Sequence, residues 1–154
     1  MLLRLSKKEL SAIEAVLDIA VNGGGSLVQS SDITERLEIP PRYLEPILQR
    51  LGRAGILVGI RGPAGGYRLA RERRRITLAD LVDAIRADDD AEETELNRPR
   101  NGLTNTGKAL TLTLDDLDEY IHTKLRAVTI EDLCWRTGQD AKSPRRASSA
   151  DFAI

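Results

Sequence analysis

Two adjacent prolines, Pro40 and Pro41, set the tightest constraint on how this 154-residue chain folds. Proline lacks a backbone N–H and its ring collides with the preceding turn, so no helix runs through the pair; at a first helical position, however, proline presets a new one. The apolar residues on either side fall at helical spacing. Ile33 and Leu37 share one face of a short segment capped from Ser31 or Asp32. Leu44, Ile47, Leu48 and Leu51 share one face of RYLEPILQRLGRAG, which stops at Gly55. Upstream, Ser6 and Glu9 make a capping-box pattern, Leu10, Ile13, Val16, Leu17 and Ala20 recur at helical spacing, and Gly23, Gly24 and Gly25 end that longer helix. A long helix followed by two short ones around a turn has the makeup of a helix-turn-helix.

The next segment narrows the choice. In ILVGIRGPAGGYRLA, Ile56, Val58 and Ile60 alternate with Leu57 and Gly59, Tyr67 and Leu69 flank Arg68, and a Gly- and Pro-rich tip lies between. Two strands around such a tip form a β-hairpin, a wing placed directly after the third helix. TLADLVDAIRA, with Leu78, Leu81, Val82 and Ile85 inward, is a further amphipathic helix, whereas DDDAEETELNRPRNG is acidic and poor in large apolar residues, the composition of a mobile loop. Leu110, Leu114, Leu117, Ile121, Leu125 and Val128 then step by four or three residues, a heptad-like stripe about 28 Å long. The stripe suits a partner helix in a homodimer or, alternatively, the chain's own domain; the N-terminal helices already have each other to bury, which favours the dimer. TIEDLCWR forms a last helix, and SPRRASSADFAI has the composition of a disordered end. The expected fold class is mainly α with a small β wing. A winged helix-turn-helix spans 1–87, an acidic loop 88–102, a dimerisation helix with a short terminal helix 103–136, and a tail 137–154.

The net charge of −1 averages over opposed segments. Residues 1–76 carry 13 Lys and Arg against 8 Asp and Glu, a net +5, while residues 77–140 carry 7 against 15, a net −8. The basic end is the place for nucleic acid, although solvated faces of ordinary proteins also carry charge runs. No apolar run nears the roughly 20 residues of a membrane span, and MLLRLSKKEL lacks the apolar stretch of a secretion signal, so a cytoplasmic location is expected. A single cysteine, Cys134, excludes an internal disulfide and any cysteine-only metal site within one chain. One histidine, one cysteine and no phosphate loop leave no nucleophile with a positioned base, which argues against an enzyme.

On a winged helix, cations that reach phosphates give affinity and the exposed start of the third helix reads bases in the major groove. Arg42, Tyr43 and Glu45 occupy that start. Arginine contacts guanine or phosphate, tyrosine a phosphate or a thymine methyl, and glutamate accepts from cytosine N4; the alternative is a merely solvated face. Arg50 lies further along the same helix. In the wing, Arg61 sits where a cation enters a narrow minor groove. Gly62, Gly65 and Gly66, with Tyr67 beside them, let the backbone turn tightly and approach DNA, or serve only as hairpin glycines. Lys7 and Lys8 at the first helix's start are phosphate candidates.

The run SDITERLEIPPRYLEPILQRLGRAGILVGIRGPAGGYRLA into ITLADLVDAI, together with VTIEDL, resembles the winged-helix family of the bacterial iron-sulfur cluster regulator IscR, over residues 1–136. The resemblance implies a homodimer that binds double-stranded DNA at a palindromic operator of iron-, iron-sulfur- or redox-related genes, with its long helices crossing antiparallel. It also implies that Arg42, Tyr43 and Glu45 read bases and that Arg61 is the minor-groove residue. Members of that family that sense iron or nitric oxide carry three cysteines, often with a histidine, before the long helix. Here residues 88–105 hold neither; Gly102 stands at a cysteine position and Asn105 at the histidine position. The usual cluster cannot form there, and an atypical iron-sulfur cluster on two copies of Cys134 needs carboxylates, His122 or an outside thiol to complete it. Cys134 thus has three readings: a buried small apolar residue, a redox or cluster-sensing thiol, or an intermolecular disulfide. His122, beside the stripe, reads as a surface or interface residue, and Pro46 as a slight bend in the third helix. The resemblance also permits a second function, a winged-helix module that controls an enzyme by protein contact through its acidic loop.

Overall fold

The computed structural model describes residues 5–89 and 104–138. Its elements are α1 (Lys7–Gly23), α2 (Ser30–Leu37), α3 (Pro41–Arg53), β1 (Leu57–Ile60), β2 (Gly66–Leu69), a 3₁₀ turn at Arg73–Arg75, α4 (Leu78–Asp89), α5 (Asn105–Arg126) and α6 (Ile130–Arg136). Most of the acidic loop expected over 88–102 and all but the first residues of the tail expected over 137–154 lie outside the described residues.

The capping box at Ser6 and Glu9 forms as expected. The inward face of α1 is different. Ala12, Ala15, Val16, Ile19 and Ala20 are buried, whereas Leu10 is 47% exposed and Ile13 and Leu17 are half-buried. The alanines have the physical advantage here, because α1 is packed by α3, α4 and α6 at once, and small side chains let three helices approach one axis. α2 begins at Ser30 behind Gln29, which gives no side-chain cap, rather than behind Ser31 or Asp32. Arg36 ties it to α1 through two 2.8 Å hydrogen bonds to the Asp18 carboxylate. α3 starts on Pro41 and buries Leu44, Ile47, Leu48 and Leu51. Pro46 lies inside it and leaves the Arg42 carbonyl without its usual i+4 donor.

β1 and β2 pair antiparallel, from Leu57 opposite Leu69 to Ile60 opposite Gly66. Ile56 and Leu57 are both buried and Ile60 is 48% exposed: Ile56 precedes the strand and belongs to the core under α3, so the alternation read from the sequence does not carry through. Val28, just before α2, exchanges two 2.8 Å hydrogen bonds with Tyr67 and so fastens the wing to the α1–α2 connection. The tip is fitted just as closely. A Cβ on Gly65 would sit 2.1 Å from the Ile60 carbonyl oxygen, and one on Gly66, at φ 150°, 2.6 Å from that of Val28. Closure of the tip on its own backbone therefore demands glycine at position 65, and docking of the wing on the α1–α2 connection demands it at position 66.

A second tie closes the domain. The Leu78 N–H donates to the Val128 carbonyl and the Ile130 N–H to the Ile76 carbonyl, each at 2.9 Å, which brings the chain after α5 back beside the start of α4. α6, opened by a Thr129–Asp132 capping box, then buries Ile130 and Cys134 completely against α1 and the 3₁₀ turn. α4 opens with a reciprocal Thr77–Asp80 cap and buries Leu81, Val82 and Ile85. α5 lies along α4, and not one of its 22 residues is fully buried.

Candidate nucleic-acid interface

The four core residues of α3 fix its helical phase. At 100° per residue, Arg42, Glu45, Pro46, Gln49 and Arg53 fall on the opposite side, and all five are exposed. Between this outward face, the start of α2 and the wing runs a groove of 870 Å³, with Glu45, Gln49, Ser30, Arg61 and Tyr67 in its walls. Gln29 spans it, its Nε2 donating to the Pro63 carbonyl in the wing tip at 3.5 Å. The half-buried Tyr67 phenol is pushed above its ordinary pKa by burial and then by the Glu45 carboxylate, against the opposing pull of Arg61. α3 and the wing thus share one electrostatic neighbourhood.

Lys7 extends the surface at its other end. Its Nζ lies 5.5 Å from the centroid of the Tyr43 ring, a cation–π contact between the starts of α1 and α3, and Lys8 is exposed beside it. Of the sequence-derived candidates, Glu45, Arg61, Gly62, Gly65, Gly66 and Tyr67 gather around the groove. Arg42 shares the outward α3 face, and Lys7, Lys8 and Tyr43 flank it. Arg50 is placed elsewhere: it is half-buried, and its Nη1 donates to the Ile85 carbonyl at 3.1 Å, clamping α3 to α4. Gln29, Ser30, Gln49 and Arg53 escaped the sequence reading. The helical phase of α3 already carries Gln49 and Arg53; no local signal marks Gln29 and Ser30, whose position follows from the Val28–Tyr67 pairing.

Such an arrangement offers a helix bearing a guanidinium, a carboxylate and an amide, which are the groups that match base edges in a major groove, next to a hairpin that carries Arg61 by its tip. The sequence stripe on α5 divides. Leu114, Ile121, Leu125 and Val128 are half-buried, while Leu110 is 60% and Leu117 42% exposed. His122 is half-buried at the α4–α5 contact, 2.9 Å from the Asp83 carboxylate. Leu112 and Tyr120, outside the stripe, are exposed as well.

The described residues do not fit an iron-sulfur cluster. Among the described residues no group of three or more His, Cys, Asp or Glu is positioned to hold a metal. The only cysteine is sealed in the core, where a metal cannot reach its sulfur unless α6 leaves α1. Among the described residues, no helix is long and apolar enough to cross a membrane.

Residues 5–136 match the model of the Rrf2 family, described as an iron-dependent transcriptional regulator. The chain is 34% identical over 132 residues to the HTH-type transcriptional regulator IscR of Xenorhabdus nematophila, an alignment covering 85% of this chain and 79% of that one. It is 33% identical to IscR of Yersinia pestis at the same coverage. Among solved structures, T. potens IscR superposes with a TM-score of 0.67 at 26% identity, covering 94% of this chain and 95% of that one. CymR of B. subtilis, described as the global cysteine regulator, superposes with a TM-score of 0.65 at 23% identity, covering 88% and 98%, and so shares the fold. The named relatives are regulators of transcription, not enzymes.

Proposed function

The chain belongs to the Rrf2 family of transcriptional regulators, and from that membership we propose that it acts as a homodimer, binding a palindromic duplex site through the outward face of α3 and the tip of the wing. The observation that carries this reading is the groove itself, which sets Glu45 and Gln49 of α3 opposite Arg61 of the wing. With α3 in a major groove and the wing in the adjacent minor groove, the sugar-phosphate strand between the two runs along that groove, past the start of α2. Lys7, Lys8 and Arg42 supply further cations on the same side.

Dimerisation follows from α5. A 22-residue helix that buries none of its residues fully within its own domain has apolar surface left for a second copy. Two copies joined there bring their α3 helices to successive major grooves, about 34 to 36 Å apart. Iron dependence in relatives of this kind rests on thiolate donors, which this chain lacks before α5; its signal therefore reaches it by a route other than a cluster at that loop.

The test is the double substitution Arg42→Ala with Arg61→Ala, assayed by fluorescence anisotropy on a duplex selected by the wild type. Each lost base contact costs roughly 1–3 kcal/mol per protomer, so specific binding disappears at nanomolar protein while the melting temperature holds. Undiminished affinity in the double variant would place the duplex on other residues and refute this interface; failure of the wild type to select any duplex would move the function from DNA to a protein partner.

A further inference from the structure

We propose that Gln49 is a further base-reading residue, specific for an adenine in the major groove. The inference rests on the DNA-binding reading above and goes beyond the first turn of α3, where Arg42, Tyr43 and Glu45 lie.

Helical phase supplies the first argument. Taking Arg42 as zero, Glu45 lies at −60° and Gln49 at −20°, so Gln49 points more nearly along the outward axis than Glu45 does. The buried Leu44, Ile47, Leu48 and Leu51 fill the opposite arc. Both Glu45 and Gln49 are exposed and stand in the wall of the same groove. Pro46, about +40° round on the same face, is compact and lets a duplex come close to the backbone.

Length supplies the second. From Arg42 to Gln49 the helix rises about 10.5 Å, which matches three base-pair steps, and from Glu45 to Gln49 about 6 Å, close to two. The chemistry along this line is a guanidinium, a carboxylate and an amide. Glutamate accepts from cytosine N4, and glutamine, with one donor and one acceptor on a planar group, pairs bidentately with adenine N6 and N7. The geometry therefore calls for a cytosine in each half-site and, about two steps away, an adenine.

The experiment selects bound duplexes from a random pool with the wild type, Gln49→Ala and Glu45→Ala, and compares the three base-preference profiles. For the wild type the expected motif carries adenine at one position in each half-site, preferred over the other bases by about 5- to 150-fold, the range for a bidentate pair. Gln49→Ala removes that preference alone, with an unchanged melting temperature; Glu45→Ala removes the cytosine and leaves the adenine. A wild-type motif without the adenine, or a Gln49→Ala profile equal to the wild type at every position, overturns the assignment while leaving DNA binding intact. Failure of the wild type to select any duplex overturns both.

Discussion

Truncating Leu110 and Leu117 together to alanine probes the dimer where its energetics can be worked out. In the single protomer these side chains keep 60% and 42% of their surface in water, so together they hold about one whole leucine side chain in reserve. Burying a leucine side chain is worth about 1.5–3 kcal/mol. If the seam covers that reserve in both protomers, the double variant weakens association by about 3–6 kcal/mol, a rise of roughly 10²- to 10⁴-fold in the dimer dissociation constant. The protomer itself loses little, because neither residue belongs to its core. Sedimentation equilibrium across a protein dilution series reads this directly, with circular dichroism to confirm that helix content is kept. A dissociation constant within threefold of the wild type would refute the assignment of the seam to these leucines.

Three further outcomes follow from the geometry. Gly65→Ala places a methyl against the Ile60 carbonyl, so the tip must open; DNA affinity falls at least tenfold in anisotropy titrations while the core, which excludes the tip, melts within a few degrees of the wild type. Arg86→Ala leaves the buried Glu9 carboxylate with the Ser6 N–H but without its cation; urea denaturation at fixed protein concentration finds the variant less stable than the wild type by about 1–3 kcal/mol, and an unchanged stability would contradict a structural role for the ion pair. The Cys134 thiol, fully buried, stays unreactive toward an aromatic disulfide reagent until the protein is denatured, and Cys134→Ala leaves DNA affinity the same with iron, without it and under oxidant.

What the sequence disclosed depended on how local the physics was. α3 was legible almost to the residue, since a proline pair starts it, one apolar face repeats through it and glycine follows its end. The wing was legible as a hairpin, but not its attachment, because the bonds between Val28 and Tyr67 join segments 39 positions apart with no pattern to announce them. The same holds for the pairing of Leu78 with Val128 that returns α6 to the core. On α1 the periodicity marks Leu10, Ile13 and Leu17 as inward because large apolar residues weigh most in it, yet a helix gripped from three sides buries Ala12, Ala15 and Ile19 and leaves Leu10 outside. Arg50 resembled its cationic neighbours until the fold gave its guanidinium the Ile85 carbonyl. Cys134 was illegible in the same way, since an isolated cysteine between Leu133 and Trp135 has the same letters whether it lies at a surface or, as here, in the core.

The most direct test of the central claim titrates the protein into a labelled, selected duplex at 50 and 200 mM salt and counts chains per duplex at saturation. Two chains per duplex are expected, with affinity falling about 10³- to 10⁵-fold over that salt range for six to ten neutralised phosphates. Saturation at one chain, or binding indifferent to salt, would contradict a dimer that holds DNA through its recognition helices and wings.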